Sequence, residues 1–188
     1  MEEIIKKARE WALEEIEKHG SPLLINFELS YKKGIELAQK LKLDVDVVKI
    51  GTLLMDIKLG EAKKEGCLKE HSKISADATK NFLQQFDIND ELKNKIVNCV
   101  EAHHATIPFT SKESELCANA DCYRFIHPKG VFAYLEHLGE NKKTFEENLK
   151  QVEFKMDEKW NILSLDICKQ ELEDYYHTIK KYIRESQI

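Results

Sequence analysis

The sequence is poor in the residues that form tight turns, with seven glycines and three prolines in 188 residues. An average protein has about 12% of the two together. A β-sandwich or barrel needs many such turns, and a nucleotide-binding loop of the P-loop kind needs several glycines close together. The shortage of both residues therefore argues against these architectures and favours helices.

Paired cysteine motifs and long apolar runs are also absent. The five cysteines are odd in number and none are spaced as C-x-x-C, so a disulfide framework is not expected and the thiols serve as small core residues. No stretch reaches the roughly 18 apolar residues of a membrane span. The amphipathic first ten residues do not resemble a signal peptide. These absences predict a cytoplasmic protein with no membrane partner.

Neither charge sign is in large excess, with 29 basic against 34 acidic residues and a net charge of −5. A dedicated nucleic-acid-binding protein is usually basic, so we expect no nucleic-acid partner. The hydrophobic fraction of 42% is sufficient to bury a core and too high for a disordered chain. The length suits a single domain over residues 1–188.

Apolar residues recur with the 3.6-residue period of a helix along most of the chain. The pattern predicts a compact all-α domain of about eight helices. One helix, over about residues 45–58, is nearly apolar all round and is expected to lie at the centre of the fold. The polar stretch 59–70 reads as a loop, and a histidine-led helix follows over about 71–86.

Five polar residues fall on inward faces or at the inner ends of these apolar stripes. A buried carboxylate such as Asp56 needs a metal, a cation or several hydrogen-bond donors. Imidazoles and carboxylates together suit Mn, Fe, Ni or Zn, and a mostly carboxylate site suits Mg. Adjacent helical residues point about 100° apart, so neighbouring histidines can reach one ion only at a helix end. The five residues are Asp56, His71, His103, His104 and Asp121.

The order of these residues resembles a known pattern. An apolar helix ends in LLMDI, the helix HSKISADATKNFL begins with histidine, an I-V-x-x-V-x-x-H-H helix follows, and then an A-N-A-D segment. This order is similar to the HD-domain superfamily of all-helical, metal-dependent phosphohydrolases. The resemblance covers about residues 26–126. It implies an HD-domain-like helical bundle as the core. The helical stretches of about residues 130–186 lie outside the resemblance and are expected to pack on this core.

The resemblance also implies roles for the five residues, and it shows two departures from the family. Asp56, His71, His103, His104 and Asp121 would be metal ligands, and Asp56, His104 and Asp121 would take part in catalysis. His104 would be a ligand or would contact the phosphate or leaving group, and Asp121 would be a ligand or the general base. Met55 stands where the family has the histidine of its His-Asp doublet. The first family histidine maps to Ser30, with Leu29 or Asn26 as other registers. This degenerate pattern implies one divalent ion, displaced towards His71 and His103.

Three functions are consistent with this pattern. The first is hydrolysis of a nucleotide or another small phosphate ester, assisted by a divalent metal ion. The second is a catalytically degenerate HD domain that binds a metal or nucleotide without turnover, which leaves open whether the chain is an enzyme. The third is a structural helical protein whose last helix, with Tyr175, Tyr176, Ile179 and Tyr182, forms a homodimer face. Metal content and turnover distinguish the three.

Overall fold

A computed structural model describes residues 1–140 and 143–186, and across these ranges the chain is all-α, as predicted. None of the helices in these ranges is both long and apolar enough to cross a bilayer. The α-helices are α1 (Glu2–His19), α2 (Leu24–Leu41), α3 (Val45–Leu54), α4 (Leu59–Glu65), α5 (His71–Leu83), α6 (Asp90–Glu101), α7 (Lys112–Ile126), α8 (Pro128–Gly139), α9 (Phe145–Ile162) and α10 (Asp166–Glu185).

Several helix ends are set by capping residues that the sequence shows directly. Gly20 ends α1 in the left-handed conformation, with φ of 65°, a conformation that costs glycine little because it has no Cβ. The Asp44 side chain accepts hydrogen bonds from two amide N–H groups in the first turn of α3. Asn89 caps α6 in the same way, and Thr144 forms a capping box at α9.

The prediction of a loop over residues 59–70 is wrong. This stretch contains α4 and a 3₁₀-helix over Leu68–Glu70. Gly60 and Ala62 are buried, and a Cβ on Gly60 would lie 2.4 Å from the Cβ of His19. Tertiary packing against α1 thus stabilises a helix that the local composition does not indicate.

Helix α3 lies at the centre of the fold, as its all-round apolar sequence predicts. Helices α1, α2, α6 and α7 all pack against it, and seven of its ten residues are buried. Gly51 allows the closest approach, because a Cβ there would lie 2.6 Å from Cys99 Cβ and 2.9 Å from Cys117 Sγ. The separation of α3 from α6 and α7 is therefore set by the missing side chain at position 51.

The C-terminal helices α8, α9 and α10 enclose a second apolar cluster, and α9 also packs against α7. Helix α10 divides its buried residues between the two clusters: Cys168 and Leu172 contact the first, and Ile179 and Ile183 the second. This arrangement places one face of α9 beside the C-terminal half of α7. The buried members of the second cluster are Val131, Leu138, Leu149, Val152, Met156, Ile179 and Ile183.

Candidate functional site

The predicted site residues meet at one end of α3. Asp56 lies in the turn that follows α3, and His71 is the first residue of α5. The Asp56 Oδ1 atom is 3.3 Å from His71 Nε2 and 3.5 Å from His103 Nε2. Asp121 comes from the middle of α7 and is buried. The spatial convergence that the sequence implies is therefore present.

The adjacent histidines share one side of the site because they lie beyond the end of α6. His103 and His104 occupy a turn after Glu101, and Ala105 follows in the left-handed region with φ of 53°. Their ring centroids are 4.1 Å apart. Ligand nitrogens of these two residues and of His71 all lie within 4.8 Å of one another. A regular helix would have turned the two rings apart.

Two of the histidines are held in the tautomer that suits a metal ligand. His71 Nδ1 is 2.7 Å from the Leu68 carbonyl oxygen, and His103 Nδ1 is 2.6 Å from that of Val100. A carbonyl only accepts, so both Nδ1–H groups donate and the Nε2 lone pairs face Asp56. His103 Nε2 is buried without a hydrogen-bond partner. Lone pairs and a carboxylate oxygen that face each other require a cation or proton between them.

A proton is attracted to this position when no ion is bound. Burial of the His71 imidazole opposes its charged form, but the Asp56 carboxylate overcomes this effect and raises the pKa of His71 above its usual value. Burial would likewise raise the pKa of Asp56. The Arg124 guanidinium and the imidazoles of His103 and His71 instead hold it well below its usual range.

His104 differs from the other two histidines because Lys159 contacts it. The Lys159 Nζ atom is 2.9 Å from His104 Nδ1, and an ammonium group can only donate, so Nδ1 accepts and Nε2 carries the hydrogen. That Nε2–H lies 3.1 Å from His71 Nε2. Burial, together with the nearby His103 and Lys159, lowers the pKa of His104 to about 2. In this arrangement His104 presents an N–H group, not a lone pair, to the cluster.

Sequence reasoning missed two cationic residues of the site, Arg124 and Lys159. Arg124 Nη1 donates to the Asp56 carboxylate and lies 2.7 Å from Asp121 Oδ1. Lys159 Nζ lies 2.6 Å from Asp121 Oδ2. The exposed fractions are 5% for Arg124, 0% for Lys159 and 1% for Asp121. Arg124 lies one turn after Asp121, and this spacing could have indicated it. Nothing in the local sequence distinguishes Lys159 from Lys150 and Lys155, the other two lysines of α9.

The two cations balance the two carboxylates of the site. Burial alone would raise the pKa of Asp121, but the adjacent Lys159 and Arg124 lower it far below its usual value. Both Asp121 oxygens accept from these side chains. Removal of one partner of a buried ion pair leaves an uncompensated buried charge, so each member of the group depends on the others.

This ionic group makes the stability of the metal-free protein sensitive to acid. The folded-state pKa of Asp121 is depressed, so its contribution is fully present above the unfolded pKa of about 3.9 and is lost as pH falls below it. The free energy of unfolding can be measured by urea titration in the presence of a chelator from pH 6 to pH 3. Below about pH 4, the value for wild type should fall by up to ~1.4 kcal/mol per pH unit relative to the value for Asp121→Asn. A constant difference between the two proteins would contradict this assignment.

A cavity of about 690 Å³ opens beside the site, within the range of small-molecule sites. Its floor is polar and mostly ionic, formed by Asp56, His71, His104, Asp121, Arg124 and Lys159, and the rest of its wall combines aromatic and aliphatic side chains with Lys63, Lys143 and Lys155. The wall includes Leu23, Leu59, Leu68, Phe125, Tyr134 and Leu138.

The two positions where the family resemblance expects histidines lie on the other side of Asp56. Met55 and Ser30 line a second, much smaller cavity of about 10 Å³ together with Asp56 and Arg124. Met55 is buried, and the Ser30 hydroxyl donates to the Phe27 carbonyl at 3.0 Å. This side of Asp56 thus offers no imidazole.

Comparison with known proteins agrees with the fold. No family model matches the sequence. A predicted HD superfamily hydrolase from an uncultured Thermotogales bacterium superposes with a TM-score of 0.70 at 14% identity, over 96% of this chain and 89% of that one. Bacillus subtilis YpgQ superposes with a TM-score of 0.68 at 15% identity, over 98% and 94%. Its complex with ADP gives a TM-score of 0.66 at 16% identity, over 97% and 96%.

One curated relative is similar in sequence. Ribonuclease Y of Finegoldia magna is 29% identical over 186 residues, which cover 81% of this chain and 33% of that protein. The chain thus spans about a third of the length of this relative. Together with the structural neighbours, the likeness confirms that the chain has the HD-domain fold that its motif order predicts.

Proposed function

We propose that this HD-fold chain is a metal-dependent phosphohydrolase that acts on a nucleotide or another small phosphate ester. The observation that carries the proposal is the convergence of two imidazole lone pairs with one carboxylate oxygen. His71 Nε2 and His103 Nε2 lie 3.3 and 3.5 Å from Asp56 Oδ1. Three protein ligands with an open position are the usual composition of a catalytic metal site, best documented for zinc.

Asp56, His71 and His103 would hold the divalent ion. This mixed set of imidazole and carboxylate ligands suits Mn, Fe, Ni or Zn better than Mg. When bound, such an ion supplies an activated water and polarises a phosphate oxygen. The backbone carbonyls that hold both Nδ1–H groups keep the ligand rings in orientation before the ion arrives.

We assign different roles to the other two predicted residues. His104 Nε2 carries a hydrogen and its ring lines the cavity, so His104 would donate a hydrogen bond to a phosphate or leaving-group oxygen. Both oxygens of Asp121 are engaged by Arg124 and Lys159. Asp121 is therefore a positioning residue that orients these cations, and we do not assign it the role of general base.

The cavity supports a nucleotide as the substrate class. Its ionic floor suits a phosphate group, and Phe125 and Tyr134, whose rings are 5.2 Å apart, provide an aromatic wall for a base. The structural neighbour YpgQ has been crystallised with ADP. Because the curated relative is named as a ribonuclease, an RNA phosphodiester is the second candidate, although the net charge of −5 predicts no nucleic-acid partner.

The test is a hydrolysis assay on chelator-treated protein reloaded with Mn²⁺, Mg²⁺, Ni²⁺, Co²⁺ or Zn²⁺. Nucleoside mono-, di- and triphosphates form one arm, and short single-stranded RNA forms the other. We expect metal-dependent phosphate release from nucleotides that is lost in His71→Ala and Asp56→Ala. His177→Ala, in an exposed residue of α10 outside the cavity wall, is the matched control and should keep wild-type activity.

Each other outcome of this assay has a defined meaning. Activity that survives His71→Ala and Asp56→Ala would exclude the proposed centre. Cleavage of RNA alone would favour the second substrate class. Thermal stabilisation by metal and nucleotide without any product would favour the degenerate binding module, which Met55 and Ser30 motivate.

Three further expectations stay predictions. A single domain over residues 1–188 is supported by the packing of α9 on α7. A cytoplasmic location is supported by five free cysteines. A homodimer through α10 is supported by the exposure of Tyr175 and Tyr182, of which 40% and 60% remain accessible, whereas Ile179 is buried in the second apolar cluster.

A further inference from the structure

Arg124 occupies an unusual position, because one of its nitrogens is shared by two buried carboxylates. Its Nη1 atom donates to Asp56 Oδ2 and also to Asp121 Oδ1. The carboxylates come from opposite sides of the site, one from the turn after α3 and one from α7. Two carboxylate oxygens that converge on one buried point are also an arrangement that binds a divalent cation.

We propose that the Arg124 guanidinium is a fixed cation that takes the place of a divalent ion between Asp56 and Asp121. The chain then binds a single divalent ion, on the imidazole side of Asp56. The statement that an ion binds on the imidazole side of Asp56 rests on the proposed function. The statement that Arg124 occupies the other side of Asp56 rests only on the hydrogen bonds of Arg124.

The chemistry of arginine keeps this cation in place permanently. A guanidinium keeps its charge at every pH that a protein encounters. Arg124 is 5% exposed, and the nearby carboxylates raise its pKa further against the effect of burial. Since Asp56 Oδ2 is held by Arg124, only Oδ1 is directed to the histidines. A divalent ion on the Arg124 side would have to displace a buried ion pair with both carboxylates.

The surroundings of Arg124 leave little space for a second ion. The cavity formed by Ser30, Met55, Asp56 and Arg124 has a volume of about 10 Å³, which is near the minimum for one water molecule. A thioether is a soft ligand that suits hard divalent ions poorly, and the Ser30 hydroxyl is already bonded to a backbone carbonyl. Beside the guanidinium, this cavity therefore offers neither the space nor the ligands that a hydrated divalent ion needs.

The decisive measurement is the number of Mn²⁺ ions bound per chain, with no substrate present. Chelator-treated wild type, Arg124→Ala and Arg124→Lys would be titrated by calorimetry and by counting unbound Mn²⁺ through electron paramagnetic resonance. We expect one ion for wild type and one for Arg124→Lys, which keeps a cation. Arg124→Ala exposes both carboxylates and should bind one ion more than wild type, with a larger thermal stabilisation by Mn²⁺.

The outcomes separate this inference from the proposed function. Two ions in wild type, or no additional ion in Arg124→Ala, would overturn the role of Arg124. If Arg124→Ala folds only when Mn²⁺ is present, the ion has replaced the guanidinium and the inference is supported. If Mn²⁺ does not restore folding, the inference is overturned. If wild type binds no ion and Arg124→Ala binds one, the proposed metal centre on the imidazole side is excluded, but the role of Arg124 as a fixed cation is still supported.

Discussion

Replacing His103 with alanine is expected to remove divalent metal binding, whereas replacing His104 with alanine should weaken it by no more than roughly 10–100-fold. The two residues are adjacent, and their rings lie 4.1 Å apart. His103 Nδ1 donates to a backbone carbonyl, so its Nε2 lone pair is available to an ion. His104 Nδ1 accepts from Lys159, so its Nε2 carries a hydrogen. Loss of a direct ligand should lower the metal affinity by more than the roughly 10–100-fold that follows from losing an indirect partner.

Calorimetric titration of chelator-treated protein with Ni²⁺ or Zn²⁺ measures this difference. His104→Ala serves as the matched control, since it deletes the same side chain from the neighbouring position of the same turn. Far-UV circular dichroism of both variants shows whether the helices are retained. Equal losses of affinity in the two variants would mean that Lys159 does not fix the tautomer of His104.

Replacing Lys159 with methionine is expected to destabilise the protein by ~3–5 kcal/mol. Lys159 is fully buried, and its removal leaves Asp121 Oδ2 and His104 Nδ1 without their donor. Breaking a buried ion pair by removing one partner has an effect of this size. For a chain of this length, the midpoint of thermal unfolding should fall by roughly 6–20 °C.

Two further variants test the cause of this loss. Lys155→Met lies one turn earlier on α9 and removes a partly exposed pair with Glu158, so it should change stability by less than ~1 kcal/mol. The double variant Lys159→Met with Asp121→Asn no longer contains the uncompensated carboxylate and should recover part of the loss. If the double variant is no more stable than Lys159→Met, the effect comes from packing and not from charge.

The fold and the convergence of the five site residues follow from sequence patterns that report burial. The apolar helix over residues 45–54 can lie only at the centre of a bundle, and a carboxylate just after it needs partners. The histidines end apolar stripes on neighbouring helices. These signals are local. The resemblance to the HD-domain superfamily comes from the order in which they occur along the chain.

The ionic partners of the site could not be predicted in the same way. Lys159 belongs to a stretch of α9 in which lysines and glutamates alternate, and only the packing of α9 on α7 buries this particular ammonium. The tautomer of His104 depends on that lysine, which is 55 residues away in the chain. Burial of a charged residue is a tertiary property, so the surrounding sequence pattern does not reveal it.

The short distance between α3 and its neighbours has a consequence for the geometry of the proposed metal centre. Gly51 precedes Asp56 by five residues, and Cys99, which Gly51 faces, precedes His103 by four. Each of the two helices thus leads into a turn that carries one of the proposed ligands. A methyl group at position 51 would force the two helices apart by several tenths of an ångström. We therefore expect Gly51 to control the distance between Asp56 and His103, and with it the ionic radius that the proposed centre prefers.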